Sequence, residues 1–157
     1  MILDWEPLNG RTGHEAGREL LAKLYRRETG EELPPILKTP RGKPFFESGG
    51  WYFSISHTPK HVFCVLSRQN VAVDAEEPDR NINLKLAEKI LSPGEKQQFD
   101  AAQDPRKALL SFWVLKECAA KLSGEGLRGY PNHTNFSLED PRVTEIHGCL
   151  VAVMEEL

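Results

Sequence analysis

Two short stretches of the sequence place acidic and basic side chains at spacings that could carry out chemistry. The first is Asp74-Ala-Glu76. The second lies roughly forty positions later, where Trp113 is followed by Lys116-Glu117 and Lys121. Together they supply three carboxylates and two ammonium groups. Carboxylates bind divalent cations, and a cation with an ammonium group can neutralise a phosphate. The two stretches therefore suggest a site for a metal ion and a phosphate-containing substrate.

Asp74 and Glu76 indicate a metal site if they lie on a strand. Residues two apart on a strand point to one face, about 7 Å apart. Like charges at that separation in a partly dry site are unfavourable unless a proton or a cation lies between them. With Glu117 they form an all-oxygen set, which suits Mg²⁺. The alternative is a solvated acidic turn, because Glu77-Pro-Asp79 continues the acidic run.

The longest predicted helix carries the other candidate groups. Trp113, Glu117 and Lys121 are spaced by four, so they share one face of that helix. Leu110 and Val114 flank this face, which predicts that the acid and the base are partly buried. The alternative is an exposed Glu-Lys pair that stabilises the helix by about 0.3–0.5 kcal/mol.

Two further motifs contain residue types that could take part in chemistry. Ser56-His57 at a strand end suggests a nucleophile pair, but adjacent residues of a strand point to opposite faces, which argues against a triad. A His beside a turn is better placed to donate to a phosphate. The segment from Gly124 to Gly129 matches G-x-G-x-x-G, yet it follows a helix instead of opening one, so a dinucleotide site is not expected.

Caps, turn residues and hydrophobic periodicity predict the elements that position these side chains. The predicted helix starts are two capping boxes, Thr12 with Glu15 and Ser92 with Glu95, and the cap Asp104; the predicted helix ends are Gly30 and Gly124. The segment from Pro34 to Pro44 is predicted to be a loop. The expected elements are a strand over Met1–Trp5, a helix from about Gly13 to Glu28, a hairpin of Trp51–Ser56 with His61–Leu66, a short strand over Val71–Asp74, helices from Asn81 or Asn83 to Leu91, from Pro93 to about Ala102 and from Pro105 to Leu122, and two or three strands between Asn135 and Met154 with a turn near His147-Gly148.

Composition limits the class of protein. The chain has 157 residues, 39% of them hydrophobic, and a net charge of -3, which suits one compact unit. The first 70 residues hold ten basic and eight acidic side chains, whereas the rest hold ten and fifteen. The first 70 residues are therefore better suited to bind an anion than the rest of the chain. No apolar run approaches a membrane span and no basic stripe suggests nucleic acid, so we expect a cytoplasmic protein without either partner.

The cysteines predict no metal site. Cys64, Cys118 and Cys149 include no C-x-x-C pair and no His at metal-binding spacing. Without a targeting segment, they are interpreted as reduced thiols in the core.

The sequence resembles the 4′-phosphopantetheinyl transferases over roughly residues 40 to 138. The likeness is to the monomeric surfactin type, with a shortened N-terminal half, more than to the small trimeric holo-acyl-carrier-protein synthases. Each motif alone is weak evidence for this family. All of them together, in this order along the chain, are specific for it. The motifs are Gly42-Lys43-Pro44, Phe53-Ser-Ile-Ser-His57-Thr58, Val73-Asp74-Ala-Glu76, and Trp113-Val-Leu-Lys116-Glu117 with Lys121 and Gly124-Glu-Gly126-Leu127.

The resemblance implies an α+β fold of two similar small α/β halves related by pseudo-two-fold symmetry. The halves are expected over residues 1–70, which would bind the nucleotide end of coenzyme A, and 71–157, which would bind Mg²⁺ and carry catalysis. Coenzyme A is then held in the cleft between them. The serine hydroxyl of an acyl or peptidyl carrier protein attacks the β-phosphate of coenzyme A, and 3′,5′-ADP leaves.

The resemblance also assigns roles to residues. It makes Asp74, Glu76 and Glu117 the Mg²⁺ ligands, Glu117 the base as well, and Lys121 the contact to the pyrophosphate. Lys116 and Trp113 are expected to support the helix and the cleft. For the nucleotide end of coenzyme A, the expected residues are Lys43, Ser56 and His57, with His57 on the 3′-phosphate. Apart from the resemblance, Arg41 is expected to bind coenzyme A as a cation that compensates for a basic segment not found in the first half.

The sequence departs from the family pattern at several points, which keeps alternatives open. Ala72 replaces the usual Gly of the acidic motif, and Glu15 stands where a basic residue is expected on the first helix. A basic segment that helps to hold coenzyme A is not found before residue 74. One alternative is therefore a catalytically inactive module that binds coenzyme A or a carrier protein. Another is an unrelated Mg²⁺-dependent phosphohydrolase.

Overall fold

The computed structural model describes residues 1–127 and 133–157 and combines helices with antiparallel sheets, as expected for the α+β class. The strands are β1 (Ile2–Pro7), β2 (Ile36–Lys38), β3 (Pro44–Phe46), β4 (Tyr52–His57), β5 (His61–Ser67), β6 (Val71–Glu76), β7 (Val143–Ile146) and β8 (Cys149–Glu155). The helices are α1 (Gly13–Thr29), α2 (Ala87–Ile90), α3 (Pro93–Ala101) and α4 (Pro105–Ser123). No helix among the described residues is long and apolar enough to cross a membrane.

The first sheet has the strand order β1-β5-β4, and α1 packs on it. The Thr12 side chain accepts a hydrogen bond from Glu15 N–H and caps α1, as its sequence predicts. Gly17 allows close packing on β4, because a Cβ at this position would lie only 2.6 Å from Cγ2 of Ile55. The helix buries its apolar stripe against the sheet and ends at Gly30 in the left-handed conformation.

The predicted loop between Pro34 and Pro44 is wrong in part, since it contains a two-stranded hairpin. β2 pairs with β3, with Leu37 opposite Phe45. Both strands have three residues, too few to show a period of two, and the Pro and Gly residues around them mask the signal. Phe46 anchors the hairpin through its ring, whose centroid lies 4.6 Å from that of Phe53.

The second sheet repeats the topology of the first. Its strand order is β6-β8-β7, so in each sheet the first strand pairs with the last and the hairpin's other strand lies at the far edge. α4 packs on this sheet as α1 packs on the first. The hairpin of β7 and β8 turns at His147 and Gly148, both with positive φ, at the predicted position. The shared topology agrees with two similar halves, while the pseudo-two-fold relation and the boundary at residue 70 stay predictions.

The predicted helix ending at Leu91 is shorter and less regular than expected. Asn83, one of the two proposed caps, caps a 3-10 helical turn over Leu84–Leu86, and α2 adds a single turn after it. By contrast, α3 begins with the predicted capping box of Ser92 and Glu95. The side chain of Asp104 caps α4, and Gly124 ends it with φ 77°.

The two sheets meet along an unusual boundary, which we call the seam: strand β4 of the first sheet beside strand β6 of the second. Each is an edge strand of its own sheet. Val73 N–H donates to Ser54 Oγ and Ala75 N–H donates to Ser56 Oγ, both at 3.1 Å. From one hydrogen bond to the next, the residue number increases by two in both strands, so the strands run parallel. Serine hydroxyls thus replace the backbone hydrogen bonds that would otherwise join two neighbouring strands.

The seam predicts that Ser54 is important for stability. Ser54→Ala removes the acceptor of the buried Val73 N–H, and an unsatisfied buried donor costs about 1–3 kcal/mol. We expect that loss of unfolding free energy in urea denaturation. Ser48→Ala, at an exposed turn, is the matched control and should change the value by less than about 0.5 kcal/mol. An equally small change in Ser54→Ala would show that the seam does not need this hydroxyl.

Candidate active site

Asp74 lies at the seam and is only 7% exposed. Its Oδ1 accepts a hydrogen bond from Lys121 Nζ at 2.9 Å and from Ser56 Oγ at 3.4 Å. Its Oδ2 is buried and has no hydrogen-bond partner among the described residues. Burial raises the pKa of Asp74, and the charge of Lys121 opposes this rise. A buried carboxylate oxygen without a partner is costly, and a cation could satisfy it.

Glu76 lies two residues along the same strand, on the same face as Asp74. Burial raises the pKa of Glu76, and the negative charge of Asp74 adds to the rise, whereas Arg80 lowers it. Arg80 forms an ion pair with Glu76, and its guanidinium carbon lies 5.6 Å from the ring centre of Trp113. The indole of Trp113 also favours the ionised form of Glu76. The supporting role of Trp113 stays a prediction.

Glu117 projects from α4 toward the same region and is partly buried, as predicted. Burial raises the pKa of Glu117, followed by the negative charge of Asp74 and, more weakly, that of Glu76. The three predicted metal ligands thus act on one another electrostatically, although they come from β6 and α4. A group of like charges in a half-buried site is the condition under which a cation is favoured.

Lys121, one turn after Glu117, connects α4 to both edges of the seam. Its Nζ donates to Asp74 Oδ1 at 2.9 Å and to Val73 O at 3.0 Å, and it reaches Ile55 O at 3.5 Å. The three N–H groups of the Lys121 ammonium therefore all donate to oxygen atoms of the protein. The predicted contact with a pyrophosphate would therefore require at least one of these hydrogen bonds to be exchanged.

The residues present fit a Mg²⁺ ion in chemistry. The three carboxylates are hard oxygen ligands, and the partnerless Asp74 Oδ2 is the observation that favours a cation most directly. Among the described residues, however, these three acids do not form a set whose oxygens all lie within 4.8 Å of one another. Glu76 is instead paired with Arg80, and Asp74 is paired with Lys121. The metal-ligand roles accordingly stay predictions.

A cleft of about 300 Å³ lies between the first half and α4. It is lined by Glu117 and Lys121 from the helix and by Arg41 and Lys43 from the turn between β2 and β3. Lys43 Nζ donates to Asn70 Oδ1 at 2.8 Å and to Leu122 O at 2.9 Å. Lys43 thereby provides a hydrogen-bond donor for a backbone carbonyl in the last turn of α4. Burial lowers the pKa of Lys43. Arg41 is exposed. The structure therefore brings these four predicted residues to one cavity.

Ser56 and His57 point to opposite faces of β4, as the alternation of a strand requires. Ser56 is buried beside Asp74, whereas His57 is exposed. The His57 ring packs on Gly13, the first residue of α1, where a Cβ would lie 2.2–2.4 Å from three ring atoms. Within the described residues, no group hydrogen-bonds to this ring. His57 is therefore held at a helix N-terminus with its ring nitrogens available to an anion.

Sequence reasoning missed several residues of the site. Arg80 and Gly13 carry no local signal, because their roles depend on partners brought together by the fold. The sequence pattern predicts only a supporting role for Lys116, but this side chain is fully buried and forms an ion pair with Glu95 at 2.7 Å. For Glu95 the pattern predicts only a place in a capping box. The last two residues of the G-x-G-x-x-G match lie outside the described residues.

Comparison with known proteins identifies the family. The model of the 4′-phosphopantetheinyl transferase superfamily matches residues 70–150. This match covers more than half of the chain and includes Asp74, Glu76, Glu117 and Lys121. The chain therefore belongs to the 4′-phosphopantetheinyl transferase superfamily, a family of transferases that use coenzyme A as a substrate.

One relative agrees with this family. A Haemophilus influenzae protein with the provisional name 4′-phosphopantetheinyl transferase is 30% identical over 109 residues, which cover 66% of this chain and 46% of that protein. The chain thus spans less than half the length of the relative it matches. Membership of the monomeric surfactin type stays a prediction.

The raised pKa of Glu117 predicts how stability depends on pH. The folded protein binds this proton more tightly than the unfolded chain does, so the ionised carboxylate destabilises the fold increasingly as pH rises above about 4.3. In a buffer with a chelator at pH 7, we expect Glu117→Gln to raise the melting temperature by a few degrees. The difference should shrink as the pH approaches 4.

Differential scanning calorimetry across this pH range measures the effect. Glu139→Gln makes the same change at an exposed position and should leave the melting temperature nearly unchanged at every pH. If Glu117→Gln melts at or below the wild-type temperature at pH 7, the carboxylate is not destabilised by its surroundings.

Proposed function

We propose that the protein transfers the 4′-phosphopantetheine arm of coenzyme A to a serine of an acyl or peptidyl carrier protein and releases 3′,5′-ADP. Membership of the superfamily supports the reaction class. The observation that carries the proposal for this chain is the placement of Glu117 and Lys121 of α4 beside the acidic strand β6 at the seam, where Asp74 Oδ2 is buried without a partner among the described residues. A relic without catalysis would have no physical need for three converging carboxylates.

The proposed metal ligands are Asp74, Glu76 and Glu117. When bound, Mg²⁺ supplies positive charge to the non-bridging oxygens of the pyrophosphate. For Glu76 to take part, its ion pair with Arg80 must loosen, while the contact that the guanidinium already makes with the Trp113 ring can persist.

Glu117 is the proposed general base. The serine oxygen of the carrier protein forms a bond to the β-phosphorus of coenzyme A, the bond from that phosphorus to 3′,5′-ADP breaks, and the serine proton goes to Glu117. A carboxylate whose pKa is raised by burial is a better proton acceptor at neutral pH than an exposed one. Its position on the wall of the cleft places it beside the space where a substrate can enter.

Lys121 is the proposed cation on the pyrophosphate. It lies in the same cleft wall one turn after Glu117 and is partly exposed, at 33% for its side chain. Exchanging its weakest contact, Ile55 O at 3.5 Å, for a phosphate oxygen would keep its hydrogen bonds to Asp74 and Val73. Lys121 can then fix Asp74 and neutralise phosphate charge together.

The nucleotide end of coenzyme A is proposed to lie along the first half. Arg41 and Lys43 lie on the turn that lines the cleft, and Ser56 places its hydroxyl beside Asp74. His57 at the N-terminus of α1 is the proposed contact to the 3′-phosphate. The positive end of the α1 dipole favours an anion there.

The reaction is tested by mass spectrometry of the carrier protein. Purified protein is incubated with coenzyme A, Mg²⁺ and apo carrier proteins from fatty acid, polyketide and nonribosomal peptide synthesis. We expect a gain of one phosphopantetheine arm on at least one carrier. Asp74→Asn and Glu117→Gln should each lower the rate at least about 100-fold, whereas Glu139→Gln should keep it.

The outcomes separate the alternatives. A folded protein that binds coenzyme A in calorimetry but modifies no carrier would support the inactive binding module. Release of product from coenzyme A without any carrier would support a phosphohydrolase. Near-normal transfer by folded Glu117→Gln would refute its role as ligand and base, even if the reaction itself is confirmed.

Gly13 gives a separate prediction about the 3′-phosphate. The Cβ of Gly13→Ala would collide with the His57 ring, and the exposed ring should swing aside without unfolding the protein. Loss of a hydrogen bond to a charged group costs about 1.5–3 kcal/mol, so kcat/KM for coenzyme A should fall roughly tenfold or more, mainly through KM. His57→Ala should have a similar effect.

Dephospho-coenzyme A, which lacks the 3′-phosphate, is the matched control substrate. With it, both variants should resemble the wild type, because the group that His57 contacts is absent. Equal losses with the two substrates would show that His57 acts elsewhere.

A further inference from the structure

A second cluster of ligand-type side chains lies on the other side of β6 from the acidic site. Glu77 follows Glu76 directly, so the alternation of the strand directs it away from Glu117. It is 8% exposed, which excludes the solvated turn that the acidic run suggested. Around it lie His61 from the start of β5 and Cys149, which is fully buried at the start of β8.

The three side chains offer one nitrogen, one oxygen and one sulfur within a small volume. His61 Nδ1 lies 2.7 Å from Glu77 Oε1 and 3.5 Å from Cys149 Sγ. All three ligand atoms lie within 4.8 Å of one another. Around a tetrahedral zinc ion, whose ligands lie about 2.0–2.3 Å away, neighbouring ligand atoms are about 3.3–3.6 Å apart. The nitrogen–sulfur distance matches, and the nitrogen–oxygen distance needs to widen by at least about 0.6 Å.

The surroundings resemble the second layer of a metal site. Thr58 Oγ1 donates to Glu77 Oε1 at 2.6 Å, which fixes the carboxylate. Such outer hydrogen bonds orient metal ligands. On the solvent side, the ring of His147 stacks on Trp5 with 4.2 Å between the ring centroids, and it lies 5.3 Å from the His61 ring. A fourth ligand would come from that side.

We infer that His61, Glu77 and Cys149 form a binding site for Zn²⁺, separate from the acidic site. The set combines a borderline nitrogen with a thiolate and a carboxylate, which selects Zn²⁺ over Mg²⁺. On binding, the Cys149 thiol loses its proton, and the His61 proton moves to Nε2 so that Nδ1 can coordinate. The thiolate and the carboxylate together neutralise the charge of the ion.

The site would join the two halves just beyond the C-terminal ends of β4 and β6. His61 belongs to the first sheet, whereas Glu77 follows β6 and Cys149 begins β8 of the second sheet. An ion held by all three would therefore cross-link the halves. This is the role of a structural zinc site, and it does not depend on the proposed transfer reaction.

Titration of the full-length chain with Co²⁺ tests the inference. Co²⁺ occupies tetrahedral zinc sites, and a cobalt–thiolate bond gives intense charge-transfer absorption in the near ultraviolet. The all-oxygen acidic site cannot give this band. We expect the band to saturate at one Co²⁺ per chain, and added Zn²⁺ to abolish it.

Variants assign the band to this cluster. Cys149→Ser should lose it, whereas Cys64→Ser, the same change at another buried cysteine, and Glu117→Gln should keep it. Thr58→Val removes the hydrogen bond to Glu77 and should weaken Co²⁺ binding about 10–100-fold. Circular dichroism confirms that each variant folds, and Glu77→Gln serves if Cys149→Ser does not fold.

Two results would overturn the inference. The first is the absence of a charge-transfer band in the wild-type protein at saturating Co²⁺, which needs no variant to interpret. The second is an unchanged band in folded Cys149→Ser or Glu77→Gln. Either result would mean that Thr58, His61 and Glu77 form a hydrogen-bonded clamp and no metal site.

Discussion

The parallel seam between β4 and β6 is the constraint on which the rest of the structure depends. Two edge strands lie side by side without a backbone ladder, so their inward-facing polar groups need other partners. Ser54 and Ser56 satisfy the N–H groups of β6, and Lys121 satisfies the carbonyl of Val73. The boundary between the two sheets is thereby polar, and a polar boundary is where charged side chains such as Asp74 can be buried.

The same residues stabilise the seam and form the candidate site, which couples stability to chemistry. Lys121 ties α4 to both sheets, and it is also the proposed cation on the pyrophosphate. Burial raises the pKa values of Asp74, Glu76 and Glu117, so the ionised site opposes folding unless cations compensate. Protein cations provide part of this compensation in the structure. A bound metal ion would provide the rest and release Arg80 from Glu76.

Local signals predicted the elements well, because caps and periodicity act within a few residues. The caps at Thr12, Ser92 and Asp104 and the helix ends at Gly30 and Gly124 all lie where the sequence places them. The strands β2 and β3 were missed because three residues cannot display a pattern. The hydrogen-bond partners across the seam could not be predicted from the sequence either. They are nineteen residues apart, and such pairs produce no periodic pattern in the sequence.

The adjacent glutamates at the end of β6 show most clearly where prediction from the sequence stops. In the sequence, Glu76-Glu77 is one acidic run, for which a solvated turn is a fair interpretation. On the strand, alternation sends Glu76 to Arg80 and Glu77 to His61. Two identical side chains thus enter different chemical surroundings, one with hard oxygen neighbours and one beside a thiol. Because Cys149 is so distant in the chain, only the closing of the second sheet by β8 can bring the sulfur to the carboxylate and make a soft metal site possible there.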